Sequence, residues 1–258
     1  MFEWLKRFRK IARQLAVAAR TEDKTSRNTK AINLKPYTPE PKAFLGQLAY
    51  LQLSNFEILT AALKYSPNTQ YKAELSEAAA RSFDKYRQLS KKLVELGADP
   101  AEQMNPFKER IAMFHSNTSG LDWYEVVIKV YLTSGLLDDF YARLASGLSD
   151  ELQSEVQRAL RDTAFDKFAK RVLSEAVQSD PVLGSRLALW GRRLMGDVLL
   201  ELRAAFDNRK LAHIPKSKVL SVEEENQVNL EAYSKLEPLI SELTGAHSLR
   251  MEELGLAA

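Results

Sequence analysis

The chain has 258 residues, of which 45% are apolar and 28% are charged, a composition typical of a soluble globular protein. It contains no cysteine, which excludes disulfide bonds, thiolate metal ligands and a cysteine nucleophile. No apolar run approaches the roughly 20 residues that a membrane-spanning helix requires. We therefore expect a soluble protein, and the cysteine-free composition is compatible with a cytoplasmic one.

The net charge of +3 is concentrated at one end of the chain. Residues 1–20 contain six Lys or Arg residues and one Glu, a net charge of +5, so residues 21–258 carry a net charge of −2. A nearly neutral body argues against a broad nucleic-acid footprint on it.

The first predicted element is a basic amphipathic helix over residues 2–20, followed by a polar linker over residues 21–41. Its apolar positions recur at helical spacing and are Phe2, Leu5, Phe8, Ile11, Ala12 and Leu15. The residues predicted to contact a membrane or a partner are Trp4, Lys6, Arg7, Arg9, Lys10 and Arg13. Such a helix binds an anionic membrane surface, an RNA or a protein partner, or covers the surface of its own domain.

Prolines and glycines divide the rest of the chain into long helical segments. The predicted helices cover residues 41–64 (A), 70–96 (B), 121–147 (C), 150–178 (D), 181–207 (E) and 221–243 (F). Residues 98–120 are predicted to form a proline-containing loop, and all nine prolines are predicted to lie outside the helices or near their ends. No alternating apolar and polar stretch bounded by turn residues predicts a strand.

Local signals mark several predicted helix ends. Gly97 is expected to end helix B, Ser149 to cap helix D, and Pro181 to occupy the first turn of helix E. Ser221 with Glu224 is typical of a capping box at the start of helix F.

The predicted fold is an all-α bundle. Helix B has an apolar stripe at alternating spacings of four and three, consisting of Leu75, Ala79, Ser82, Tyr86, Leu89, Leu93 and Leu96. Four long helices, A to D, with a long connection between B and C, suit a four-helix bundle with a crossover. The competing architecture, a tandem helical repeat, has no fixed sequence period to support it.

Five segments carry a resemblance to a known family. They are the helix A segment Phe44-Leu-Gly-Gln-Leu-Ala-Tyr-Leu-Gln-Leu-Ser-Asn-Phe-Glu57, and the stretches 81–86, 134–141, 161–168 and 247–251. Over residues 42–256 the chain resembles ferritin-like proteins, and more narrowly the actinobacterial ferritin-like family grouped with tRNA 2-methylthio-isopentenyl-adenosine hydroxylases. The resemblance implies a ferritin-like four-helix bundle, here with additional C-terminal helices and the N-terminal basic helix, as domain 42–258.

The resemblance also implies where metal ligands would lie. Ferritin-like proteins hold two irons with a carboxylate on helices A and C and a Glu-x-x-His pair on helices B and D, because residues three apart share a helix face. The corresponding positions in this chain are Glu57 on A, Ser82 and Lys85 on B, Asp138 or Asp139 on C, and Asp162 and Phe165 on D. No histidine occupies any of them.

These residues predict that the di-iron site is degenerate. Three carboxylates without a nitrogen donor would bind iron poorly, and the Lys85 ammonium would repel it. We expect no cofactor, and interpret Lys85 and Phe165 as filling and neutralising the vacated site. The alternative is that Glu57, Asp139 and Asp162 are solvated surface acids and that Lys85 extends its ammonium into water.

Two functions follow from this interpretation. The first is a non-catalytic binding or structural module, and the alternative is a di-iron oxygenase, similar to a tRNA hydroxylase, with an atypical carboxylate site. No catalytic residue is assigned: the three histidines, His115 in the predicted loop and His213 and His247 near helix ends, are not spaced as a metal site. Aromatic residues such as Trp190 on helix E leave a homodimer open.

Overall fold

The computed structural model of the protein describes residues 33–160, 164–204 and 219–256. The predicted basic helix at residues 2–20 lies outside these ranges. Within them the chain forms nine α-helices and no strand, which confirms the predicted all-α class. The helices are α1 (Pro41–Ala62), α2 (Thr69–Glu95), α3 (Pro100–Met104), α4 (Lys108–Asn117), α5 (Trp123–Leu144), α6 (Asp150–Leu160), α7 (Ala164–Ser179), α8 (Pro181–Ala204) and α9 (Val222–Glu253).

The predicted helix ends are confirmed by their capping bonds. Gly97 has a φ of 68°, and the Ala98 amide donates to the Leu93 carbonyl, so the glycine closes α2 in the left-handed conformation. The Leu152 amide donates to Ser149 Oγ at 3.4 Å. Ser221 and Glu224 form both bonds of the capping box at the start of α9.

The central element is α5, in which 14 of 22 residues are buried. It packs against α1, α7, α8 and α9, while α1 packs most extensively on α2. The apolar side chains of α5 belong to two buried clusters. Leu136 and Phe140 lie in one cluster with Phe44, and Val127 and Ile128 lie in the other. The N-terminal half of α5 therefore packs in one cluster, and its C-terminal half packs in the other.

The prediction of a loop over residues 98–120 is wrong, because most of this segment is helical. Asp99 Oδ1 accepts a bond from the Glu102 amide at 2.9 Å and caps α3, and α4 follows. Both helices are short, but α3 buries Met104 and α4 buries Ile111 and Phe114. Helices this short are only marginally stable in isolation, so their formation depends on burial against the rest of the bundle. The apolar period over so few residues was too short to predict them.

The last helix is also longer than predicted, since α9 continues to Glu253 with Pro238 inside it. A proline in a helix interior costs about 3 kcal/mol. Buried residues on both sides of Pro238 outweigh this local cost; they are Ala232, Leu236, Leu239, Leu243, His247 and Met251. Predicted helix D corresponds to α6 and α7, and residues 161–163 between them are not described.

The C-terminal end of the predicted linker is packed on the bundle. Leu34 is 2% exposed and belongs to a buried cluster, and Thr38 Oγ1 donates to the Leu144 carbonyl at 2.5 Å. Leu34 lies in a mainly polar segment without a helical or strand period, so the sequence did not predict this contact. Among the described helices, none has the length and apolarity needed to span a bilayer.

Candidate functional site

Three aspartates and two cations from four helices form what we call the polar cluster. Its acids are Asp138 and Asp139 of α5 and Asp166 of α7, and its cations are Lys85 of α2 and Arg250 of α9. Burial raises the pKa of Asp138 to about 7, while Lys85 and Arg250 lower it and the two other acids raise it. Burial therefore favours the protonated form of this carboxyl group more than in an exposed aspartate.

Arg250 is bound directly to α5. Its Nη2 donates to Asp139 Oδ2 at 2.7 Å and to the Gly135 carbonyl at 3.2 Å. A Cβ at position 135 would lie 2.5 Å from Arg250 Nε, so any larger residue there would require the guanidinium to shift. Arg250 lies in the family-like stretch 247–251, but the ferritin-like ligand pattern assigns it no role.

A second ion pair borders the polar cluster. Tyr131 Oη donates to Glu253 Oε2 at 3.2 Å, and Lys170 Nζ lies 2.5 Å from the same oxygen. Lys170 holds the pKa of Glu253 below its usual value. The Tyr131 pKa is raised by burial and by Glu253, with a smaller contribution from Asp166. The end of α9 is thus joined to α5 and α7 by charged groups as well as by packing.

The residues predicted as metal-ligand positions do not all face this cluster. Glu57 is exposed, as in the surface-acid alternative. Two residues earlier on α1, Asn55 contacts α5, because its Nδ2 donates to Ser134 Oγ at 3.1 Å. Asp162 lies outside the described residues. Asp166, one helical turn later, acts on Asp138 instead. A search of helix D for acids at i+4 on the same face would have found it.

The described positions on predicted helices B and D, which are Ser82, Lys85 and Phe165, place no carboxylate or imidazole at the site. Ser82 Oγ donates to the Ala78 carbonyl at 3.3 Å, and Lys85 places its positive charge near Asp138. The Phe165 ring lies 6.2 Å from the Phe168 ring and packs against an apolar cluster. Over the described ranges, no three His, Asp or Glu side chains converge in a way that could hold a metal ion. These residues do not fit a di-iron centre.

The histidines have separate environments. His115 lies in the last turn of α4, not in a loop as predicted, and its carbonyl accepts a bond from the buried Lys129 Nζ at 3.2 Å. Burial is the main reason that the pKa of His115 falls to about 3 and that of His247 to about 4. His213 lies outside the described residues. Both described histidines are therefore neutral at physiological pH.

The helix order, with long α-helices and no strand among the described residues, is that of an all-α ferritin-like bundle. The chain matches the family described as "Ferritin-like domain, actinomycetes" over residues 37–214, and it belongs to this family. No curated protein matches the chain. The matched range ends before α9, so Arg250 and Glu253 lie beyond it.

Proposed function

We propose that this chain is a ferritin-like bundle protein with a degenerate metal site, which serves as a non-catalytic binding or structural module. The observation that supports the proposal most directly is the position of Lys85. Its ammonium acts on Asp138, beside the place where the ferritin-like pattern requires metal donors.

The physical argument is one of competition for the same carboxylates. Iron in such sites needs several anionic or imidazole donors held in a fixed geometry. Here the acids of the polar cluster already face Lys85 and Arg250, and each cation is partly buried. A metal ion would have to displace or repel both cations, at the expense of their attraction to the aspartates.

The alternative is a di-iron oxygenase, similar to a tRNA hydroxylase, with an atypical carboxylate site. What favours it is that Asp138, Asp139 and Asp166 remain near one another on α5 and α7. Against it, Glu57 is exposed and Ser82 donates its hydroxyl proton within its own helix.

Metal analysis separates the two functions. Protein purified without chelators, then loaded anaerobically with Fe²⁺ and exposed to oxygen, is expected to retain no stoichiometric iron and to show no oxygen-dependent absorption. Two irons per chain would overturn the proposal and favour the oxygenase.

Two variants show whether the assay reports on this position. Ser82→Glu with Lys85→His creates a Glu-x-x-His pair on α2 and removes the ammonium, so it is expected to bind Co²⁺ or Fe²⁺ more tightly than the unmodified chain. Lys85→Met, which removes the charge without adding a donor, is the matched control.

In this function the module acts in the cytoplasm. Its N-terminal segment binds the partner, which is an anionic membrane, an RNA or a protein.

A homodimer stays a prediction. Trp190 is partly buried, and its Nε1 donates to the Glu125 carbonyl at 3.3 Å, so much of this side chain is used within the chain. Light scattering of the full chain measures the oligomeric state directly.

A further inference from the structure

We propose that a cavity between α1, α2 and α6 is a binding site for a small linear zwitterion, an unbranched aliphatic chain with an ammonium at one end and a carboxylate at the other. The cavity has a volume of about 240 Å³. None of the residues of the polar cluster lines it. The inference therefore goes beyond the proposed function and does not depend on it.

The floor of the cavity is apolar and selects the body of the ligand. Its residues are all buried, and they are Leu45 of α1, Leu89 of α2, and Leu152, Val156 and Ala159 of α6. Since one water occupies about 30 Å³ of liquid, the cavity has room for about eight groups of that size. Methylene groups gain more than water does from contact with such a floor, because their apolar surface is removed from solvent.

The helices on the two sides of the cavity run antiparallel. Lys92, near the end of α2, pairs with Glu155 of α6 at 3.1 Å. Glu74, near the start of α2, pairs with Arg171 of α7 at 2.5 Å, and α7 follows α6 in the chain. Later residues of α6 therefore lie beside earlier residues of α2, which fixes the charges at each end of the cavity.

One end of the cavity is acidic. Three carboxylates share the Lys92 ammonium there, Glu95 at 3.3 Å, Glu151 at 3.2 Å and Glu155 at 3.1 Å. Lys91 adds a second ammonium at 3.8 Å from Glu95, but its side chain is 80% exposed. Negative charge still exceeds positive charge at this end, so it attracts the ammonium of a ligand.

The other end of the cavity is cationic. Arg158 lines it one helical turn after Glu155, on the side of Gln88. Arg158 is exposed, and no carboxylate of the described residues pairs with it. A guanidinium binds a carboxylate with two parallel hydrogen bonds, and a glutamine amide can donate another. Glu151 and Arg158 are about 10 Å apart along the helix axis, so a chain of several methylenes is needed to bring both charged groups of the ligand to their partners.

The test is an NMR titration of the full chain with three small molecules. ε-Aminocaproate has both charges, whereas caproate lacks the ammonium and n-hexylamine lacks the carboxylate. ε-Aminocaproate is expected to shift the amide signals of the residues that line the cavity, and to bind about tenfold more tightly than either of the others. Equal affinity for caproate or n-hexylamine, or no shift at millimolar concentration, overturns the proposal.

Two variants assign the binding to this cavity. Arg158→Gln removes the partner of the carboxylate, so it should weaken the binding of ε-aminocaproate about tenfold and leave that of n-hexylamine unchanged. Arg192→Gln, which changes an exposed arginine of α8 outside the cavity, is the matched control and should change neither. Ala159→Leu fills the cavity while keeping every charge, and should abolish the binding of ε-aminocaproate.

The outcomes of the variants decide the site. If Arg158→Gln binds ε-aminocaproate as tightly as Arg192→Gln does, or if a folded Ala159→Leu retains the binding, the proposal is overturned. Because Arg158 is exposed, its substitution should leave the melting temperature unchanged. Iron bound in the metal assay would refute the proposed function and leave this site untouched.

Discussion

Met251 of α9 lies directly over Gly191 of α8, so that a Cβ at position 191 would stand 2.5 Å from Met251 Sδ and 3.1 Å from Leu132 Cδ1. Three helices meet at this glycine. Gly191→Ala is therefore expected to destabilise the fold by about 1–3 kcal/mol through overpacking, although alanine is the better helix former. Urea unfolding of both proteins measures the change.

The control for this substitution lies five residues further along the same helix. Gly196→Ala adds a Cβ with nothing within 4 Å of it, and it is expected to stabilise the protein by up to about 1 kcal/mol. Equal effects of the two substitutions would mean that Met251 does not fill the space over Gly191.

Asp138 is predicted to make the protein less stable as the pH rises. Its pKa is raised from 3.8 to about 7 in the folded protein, so between these values the folded state holds a proton that the unfolded state has lost. Stability therefore falls with rising pH across this window. Asp138→Asn should be more stable than the unmodified chain at pH 8, with a flatter profile between pH 4 and 7; thermal unfolding across this range is the measurement. A variant less stable at pH 8 would contradict the assignment.

His247 is predicted to make the protein less stable as the pH falls, the opposite of the effect of Asp138. Burial lowers its pKa from 6.5 to about 4, so between these values the unfolded state binds a proton that the folded state excludes. Stability is then lost as the pH falls, by at most about 1.4 kcal/mol per pH unit for one group. The unmodified chain should lose this contribution between pH 7 and pH 4, and His247→Gln should not. The unfolding free energy of the unmodified chain minus that of His247→Gln should therefore decrease as the pH falls. His115 is present in both proteins, so its similar effect cancels in this difference.

Lys92 joins α2 to α6. Its Nζ lies 3.3 Å from Glu95 Oε2, 3.2 Å from Glu151 Oε1 and 3.1 Å from Glu155 Oε1. Removing the ammonium leaves three carboxylates facing one another, so Lys92→Ala is expected to destabilise the protein, and less so in 0.5 M salt.

Lys91 is the matched control for Lys92. Among the described residues its ion-pair partner is Glu95, at 3.8 Å, and its side chain is 80% exposed. Because exposed pairs contribute little, Lys91→Ala should leave the unfolding midpoint nearly unchanged at either salt concentration. If both variants lowered the unfolding midpoint by similar amounts, the ion pairs between Lys92 and α6 would contribute no more to stability than an exposed pair.

Deletion of residues 1–30 is predicted to leave the bundle folded with a similar melting temperature. Deletion of residues 1–38 should lower the melting temperature, because it also removes the buried Leu34 and the bond from Thr38 to Leu144. Calorimetry of the two truncated chains makes the comparison. A large drop in melting temperature on removing only residues 1–30 would show that the basic segment belongs to the core.

Helix positions could be predicted from the chain where the signals were local. The caps at Ser149 and Ser221 and the terminating Gly97 depend on residues within one turn, and all three are as predicted. The short helices α3 and α4 were not predicted, because they are stabilised by burying Met104 of α3 and Ile111 and Phe114 of α4 in a cluster formed with distant helices.

The candidate site could be predicted only in part, and Glu57 shows why. Successive helical residues are rotated by about 100°, so Asn55 and Glu57 differ by about 200° and point to nearly opposite sides of α1. An error of two positions in matching a ligand pattern therefore exchanges a core position for an exposed one.

The sequence by itself determined the all-α class, the long helices with their caps, and the absence of Glu-x-x-His pairs, since each depends on residues a few positions apart. Only the tertiary structure decided which charges meet. Arg250 and Asp139 are 111 residues apart in the chain, and they pair because the close approach at Gly135 and the contact of Met251 at Gly191 bring α9 against α5 and α8. Burial, more than residue type, raises the pKa of Asp138 to about 7, and the same packing places Lys85 and Arg250 near its carboxyl group.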